Sequence, residues 1–190
     1  SLAIWCLHDR GEDQEAADLM AEVCEAVDAD LQLKQTMMQD NELRYLMSDL
    51  RKSREFFTAC ELNKQGDHAA ERKHLDLAYA YQTDMQDPDI LIAMYRLPGQ
   101  DEEYRAKVQE RIRQAAEDVD QLIEKYPNEA VWYNHWAWLV SNTEGDFLKA
   151  IRYSHKSLEL SPESPSYLDT LGRCYYAAGD LENAIRYQRQ

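Results

Sequence analysis

The chain has 190 residues, with 36 acidic and 21 basic side chains, a net charge of −15 and a sequence pI near 4.7. The acidic surplus argues against nucleic acid as a partner, because a phosphate backbone is bound through Lys and Arg. Hydrophobic residues at 44 % and charged residues at 30 % are typical of a folded chain. Six glycines and five prolines leave few turns for a sandwich or barrel, so long helices are expected. No apolar run reaches the ~18–20 residues that cross a bilayer, so no membrane span is expected.

The first predicted element is a helical hairpin over residues 1–30, with its turn at Gly11-Glu12. A glycine with positive φ ends one helix, and an acidic residue after it favours the start of the next. Residues 31–52 follow as a helical extension or an inserted helix without a fixed register. Their apolar side chains are Leu31, Leu33, Met37, Met38, Leu43, Leu46, Met47 and Leu50.

Two further hairpins are predicted in the middle of the chain. Residues 53–83 have their turn at Gly66-Asp67. Residues 88–127 combine a short helix over 89–96 with a long helix over 101–126, whose apolar side chains recur at helical spacing.

The last two predicted hairpins, 130–164 and 165–190, form a repeat. The tetrapeptide AIRY at 150–153 recurs 34 residues later at 184–187, and the Gly-Asp turn at 145–146 recurs at 179–180. A period of 34 residues built from two helices is typical of tetratricopeptide repeats. Residues 167–184 (YLDTLGRCYYAAGDLENA) resemble that family, and the resemblance is closest over 130–190, less close over 53–127 and least close over 1–52.

The resemblance implies an all-α fold, an α-solenoid of about five antiparallel helical hairpins stacked as a right-handed superhelix over residues 1–190. The chain begins at Ser1 and ends within a predicted second helix, so we expect a fragment of a longer protein. Four separated cysteines without a Cys-x-x-Cys pair, and no leader sequence, favour reduced thiols and a cytoplasmic location.

Family alignment predicts a concave groove that binds a peptide or a partner protein. The groove positions are Asn134 and Trp138 in one repeat, Asp169, Arg173 and Tyr176 in the next, and Phe56, Cys60, Asn63, Lys64, Ile90 and Met94 upstream. Trp132 and Trp136 are expected to pack on the preceding long helix instead. A family subclass binds a terminal carboxylate through Lys, Asn and Arg, but Asp169 and Trp138 replace two of those residues, so this clamp is not expected.

The sequence indicates a scaffold without enzymatic activity, cofactor or metal. It contains no phosphate-binding glycine loop or nucleophile elbow, and its five histidines lack zinc-site spacing. The acidic charge favours a basic or neutral protein partner. A regulatory or targeting region of a larger protein, with its catalytic domain elsewhere, is the alternative. An all-helical enzyme with two convergent acids is a third possibility.

Overall fold

The computed structural model describes residues 10–82 and 87–189, without the side chains of Met37 and Met38. Every regular element of this part is an α-helix, which confirms the predicted all-α fold. The helices are α1 (Asp13–Ala29), α2 (Leu31–Gln39), α3 (Asn41–Gln65), α4 (His68–Ala80), α5 (Pro88–Arg96), α6 (Glu102–Lys125), α7 (Ala130–Asn142), α8 (Phe147–Leu160), α9 (Pro165–Ala177) and α10 (Leu181–Gln188). The first helix predicted for the hairpin 1–30 lies outside the described residues.

The chain divides into two compact units between Gly99 and Gln100. Unit 1 holds α1–α5 and unit 2 holds α6–α10. The single repeat domain over 1–190, with its superhelical stack, stays a prediction.

Aspartate residues cap the N-termini of most of the described helices. In seven of the ten described helices, an Asp carboxylate just before the helix accepts a hydrogen bond from a backbone N–H of the first turn. These caps are Asp30, Asp40, Asp67, Asp87, Asp101, Asp146 and Asp180. Each satisfies a backbone donor that has no partner within its helix. Part of the acidic surplus is thus used to define where helices start.

Three of the predicted turns have glycine in the left-handed conformation, at Gly11, Gly66 and Gly179. Gly66 between α3 and α4 has φ +77°, and Gly179 between α9 and α10 has φ +83°. In both turns the N–H groups of the glycine and of the aspartate after it donate to carbonyl groups in the last turn of the first helix. This is the helix-ending geometry that glycine favours.

Unit 2 consists of helices of 8 to 24 residues around an aromatic core. Trp136 and Tyr133 of α7 lie 5.1 and 5.3 Å from Tyr153 of α8 by ring centroid, in edge-to-face arrangements. Val119 and Ile123 of α6 complete the same cluster. Small residues allow the helices to approach each other: Ala137, Ala150 and Cys174 are fully buried. α7 packs against α6, α8 and α9, and α9 also packs against α8 and α10.

Unit 1 has helices of unequal length, from nine to 25 residues. The 25-residue α3 packs against α1 and α2 as well as against α4. Residues 31–52, which the sequence left without a register, contain all of α2 and the first half of α3, separated by the capping residue Asp40. None of the helices in the described ranges has both the length and the hydropathy needed to cross a bilayer.

Candidate protein-binding surfaces

The structure brings three of the predicted groove residues together in unit 2. Nε of Arg173 on α9 donates to Oδ1 of Asn142 on α7 at 2.9 Å, and Nδ2 of Asn142 donates to the carbonyl oxygen of Trp138 at 2.9 Å. The guanidinium of Arg173 lies 5.1 Å from the ring centroid of Tyr176. We call Trp138, Asn142, Arg173 and Tyr176 the α7–α9 strip.

The α7–α9 strip combines a fixed cation with an accessible aromatic ring. Asn142 is buried and holds Arg173 in place, whereas Tyr176 is 57 % exposed. A guanidinium stacked on an aromatic ring loses little further freedom when it binds a second group. The strip can therefore offer a preformed set of donors beside an apolar surface.

Sequence reasoning missed Asn142. This residue lies four positions after Trp138 and so shares a face of α7 with it. That spacing is the signal that could have found Asn142.

The other two groove positions of unit 2 have different surroundings. Oδ1 of Asn134 is buried and has no hydrogen-bond partner among the described residues. The carboxylate of Asp169 accepts a hydrogen bond from Nε2 of Gln188 on α10 at 2.7 Å. Asp169 therefore joins α9 to α10.

In unit 1, the predicted residues Cys60, Asn63 and Lys64 line a cleft of about 310 Å³ between α3, α4 and α5. We call it the α3–α5 cleft. Nζ of Lys64 lies 2.6 Å from Oδ2 of the buried Asp13 and donates to the carbonyl of Gly11 at 2.6 Å. The hydrogen bond to Asp13 raises the pKa of the Lys64 ammonium. The side chain of Lys64 thus binds the residues at the start of α1.

A second carboxylate, Glu71, also lines the α3–α5 cleft. Its Oε1 accepts a hydrogen bond from Nδ2 of Asn63 at 2.9 Å, and its Oε2 lies 2.8 Å from Nδ1 of His68. Asp13 and Glu71 are both buried acids that line this cleft. The bond to Lys64 joins Asp13 to α3, and the bond to Asn63 joins Glu71 to α3.

Cys60 in the same cleft is a weak nucleophile. Burial raises the pKa of its thiol to about 12, so the thiol stays neutral at physiological pH. The reactive form of cysteine is the thiolate, and Cys60 therefore contributes a small apolar surface.

Three residues predicted for the groove lie in the core of unit 1 instead. Phe56 is 7 % exposed and its ring centroid is 5.9 Å from that of Phe57, while Ile90 and Met94 are fully buried. In this unit α3 packs against α1, α2 and α4, and α5 packs against α4. Phe56, Ile90 and Met94 therefore do not form an accessible binding surface.

Metal and cofactor sites were searched in the same part of the chain. Within residues 10–82 and 87–189, no group of three or more His, Cys, Asp or Glu side chains is arranged to hold a metal ion.

Comparison with known proteins gives limited matches. No family model matches the chain. Among curated proteins, 77 residues are 36 % identical to a Pseudomonas putida protein named "Probable biofilm formation methyltransferase WspC", which is 40 % of this chain and 18 % of that protein. The chain therefore spans less than a fifth of the length of the curated relative that it matches.

Two further matches come from solved structures. "MamA 41-end from Desulfovibrio magneticus RS-1" is 17 % identical, with a TM-score of 0.42, over 98 % of this chain and 88 % of that one. "MamA RS-1 ArsTM double mutant" is also 17 % identical, with a TM-score of 0.40, over 98 % of this chain and 87 % of that one.

Proposed function

We propose that the chain is a non-catalytic interaction scaffold, which binds a peptide or a partner protein in a groove along the first helices of its hairpins. The observation that carries the proposal is the α7–α9 strip. It sets the exposed ring of Tyr176 beside a guanidinium that Asn142 already holds. Aromatic and Arg side chains dominate the binding energy of protein interfaces.

The bonding of Arg173 supports this role. Its Nε is used by Asn142, while Nη1 and Nη2 carry the other four donors of the guanidinium. A peptide in the groove would accept hydrogen bonds from these donors through backbone carbonyl groups. Its apolar side chains would pack on Tyr176 and Trp138.

Affinity capture with groove variants tests the proposal. The 190-residue chain is immobilised and exposed to a lysate of the organism that encodes it, in parallel with Tyr176→Ala and with the double variant Trp138→Ala, Arg173→Ala. We expect both variants to lose the captured partners. Each truncated anchor costs ~2 kcal/mol or more, which is about 30-fold in affinity.

A matched control removes a similar exposed side chain from another helix. Leu148 on α8 is 65 % exposed, and Leu148→Ala should capture the same partners as the unchanged chain. Equal capture by the groove variants and the unchanged chain, with helical content intact by circular dichroism, would refute the groove.

A second candidate function is a regulatory or targeting region attached to a catalytic domain. The curated match favours this alternative. It covers only 18 % of a protein that is named as a methyltransferase, so the matched segment is a small part of a larger protein. In this case the groove would bind a protein that positions or restrains the catalytic domain.

The parent reading frame distinguishes the two functions. A methyltransferase domain beside residues 1–190, with methyl transfer that changes on Tyr176→Ala in the full-length protein, would support the regulatory role. Unchanged methyl transfer together with lost partner capture would support the scaffold function and reject the regulatory role.

A further inference from the structure

Unit 2 contains a cleft that the sequence did not predict. It has a volume of about 500 Å³ and lies between α6, α7 and the turn before α8. We call it the α6–α7 cleft. Its floor is apolar and is formed by Ile112, Ala116, Trp136 and Val140. This floor can pack against the hydrocarbon part of a side chain.

The rim of the α6–α7 cleft is acidic. Glu117, Asp120, Glu144 and Asp146 line it, and Arg113 is the basic residue of the lining. Arg113 pairs with Glu110 on its own helix. Glu117 is exposed and has no hydrogen-bond or ion-pair partner in the described part of the chain. The rim therefore has a carboxylate available for an incoming cation.

The ammonium group of Lys149 already lies against a wall of this cleft. Nζ of Lys149 lies 4.4 Å from the ring centroid of Trp136 and donates to Oδ2 of Asp120 at 2.7 Å. A ring face together with a carboxylate is a favourable setting for a cation. The wall chemistry thus suits a lysine or an arginine.

A second feature of the wall is a donor without an acceptor. Trp136 is 5 % exposed, and its Nε1 has no hydrogen-bond partner among the described residues. Buried donors in folded proteins nearly always have an acceptor. Within the described part of the chain, Trp136 therefore has an unused N–H at a residue that lines the cleft.

From these observations we infer that the α6–α7 cleft binds a lysine or arginine side chain from a segment of a partner protein. The apolar floor takes the aliphatic stem and the rim carboxylates take the charged head. The inference rests on the proposed scaffold function and adds a second contact, separate from the α7–α9 strip, that selects a basic segment.

Nuclear magnetic resonance tests the cleft without a known partner. The 190-residue chain, labelled with ¹⁵N, is titrated with N-acetyl-arginine amide, N-acetyl-lysine amide and N-acetyl-norleucine amide. We expect the two cationic probes to give saturable shifts at Glu117, Trp136 and Gly145 at millimolar concentration. Norleucine amide shares the aliphatic stem but lacks the charge, so it should bind about tenfold more weakly.

The double variant Glu117→Gln with Glu144→Gln removes two negative charges from the rim. It keeps the shape of the cleft and the acceptor that Gln109 uses at position 144. We expect it to weaken binding of the arginine probe about tenfold. Glu102→Gln with Glu103→Gln makes the same change in net charge at the exposed start of α6, outside the cleft, and should leave the affinity unchanged.

Three results would overturn the inference: no shifts in the cleft, equal binding of norleucine amide, or equal weakening by both double variants. Self-association that is lost in Glu117→Gln, Glu144→Gln would instead assign the cleft to a second copy of the chain.

The same double variants in the affinity capture separate this inference from the scaffold function. Lost capture with Tyr176→Ala but not with Glu117→Gln, Glu144→Gln would reject the cleft and keep the groove. Partner capture that is unchanged in Tyr176→Ala and in the double variant would reject both the groove and the cleft.

Discussion

The two units differ in the polar groups that they bury between helices. In unit 2, α6–α9 meet through aromatic rings and small buried residues such as Ala137 and Ala150. In unit 1, three buried carboxylates add polar contacts to an apolar core that includes Phe57 and Leu75. Asp13 bonds Lys64, Glu55 bonds Arg54 and His74, and Glu71 bonds Asn63 and His68.

The 34-residue sequence repeat lies in unit 2, whereas the buried carboxylates lie in unit 1. Apolar packing of hairpins needs small and large residues at fixed positions, so similar hairpins carry similar sequences. Buried carboxylates depend on specific donors, which differ from one contact to the next. Each unit should therefore respond to a different class of substitution.

The largest effect is expected from a core truncation in unit 2. Leu171 on α9 is fully buried, and Leu171→Ala should lower the free energy of unfolding by about 2–5 kcal/mol through lost burial and a cavity. Chemical denaturation followed by circular dichroism measures it. The exposed Ile185 on α10 serves as control, and Ile185→Ala should change stability by less than about 0.5 kcal/mol. Similar losses in both variants would contradict the apolar core of unit 2.

The next effect concerns a buried carboxylate of unit 1. Glu71→Ala removes the acceptor for Asn63 and for His68, and should cost about 1–3 kcal/mol because hydrogen-bonding groups are left unpaired. Glu25→Ala, at an exposed position on α1, is the matched control and should be close to neutral. If Glu71→Ala were as harmless as Glu25→Ala in urea unfolding, the carboxylate contacts would not stabilise unit 1.

Replacing the turn glycines should cause a smaller loss of stability, of equal size in the two units. Gly66 and Gly179 both have positive φ, and a Cβ built at either position meets no atom within 4 Å. Gly66→Ala and Gly179→Ala should each cost about 1–2 kcal/mol, from backbone conformation alone. Replacement by Asn should cost less, since Asn tolerates this conformation better. Thermal unfolding of the four variants checks the prediction, and a steric clash at one site would appear as unequal losses.

The smallest effect is a change in reactivity without a change in fold. Burial raises the thiol pKa to about 12 for both Cys60 in unit 1 and Cys174 in unit 2. At pH 8 their thiolate fractions should be roughly a thousandfold below that of a free cysteine. Peptide mapping after brief iodoacetamide treatment should find both residues unlabelled, and labelled after unfolding in urea. Rapid labelling of Cys60 in the folded chain would contradict its burial in the α3–α5 cleft.

The fold was predictable where local rules and tertiary packing agree. Glycine followed by an acidic residue marked the turns at Gly66 and Gly179. Residues 31–52 could not be placed, because their apolar side chains fit both an extended α3 and a separate helix. The capping residue Asp40 decides between them.

The candidate site was predictable only where the repeat is regular. In unit 2 the family alignment placed both Trp138 and Arg173 in the groove, and the structure joins both residues through Asn142. In unit 1 the same alignment selected Phe56, which is buried, because nothing in the local sequence shows that α1 packs against α3. The α6–α7 cleft depends on side chains from three segments, so no single stretch of sequence indicates it.

Hydrogen–deuterium exchange of the chain with its captured partner tests the groove most directly. The account predicts slower exchange in α7 and α9, on the peptides that contain Trp138 and Tyr176, with little change in the peptide of α8 that contains Leu148. Protection confined to α8, or absent from unit 2, would contradict it.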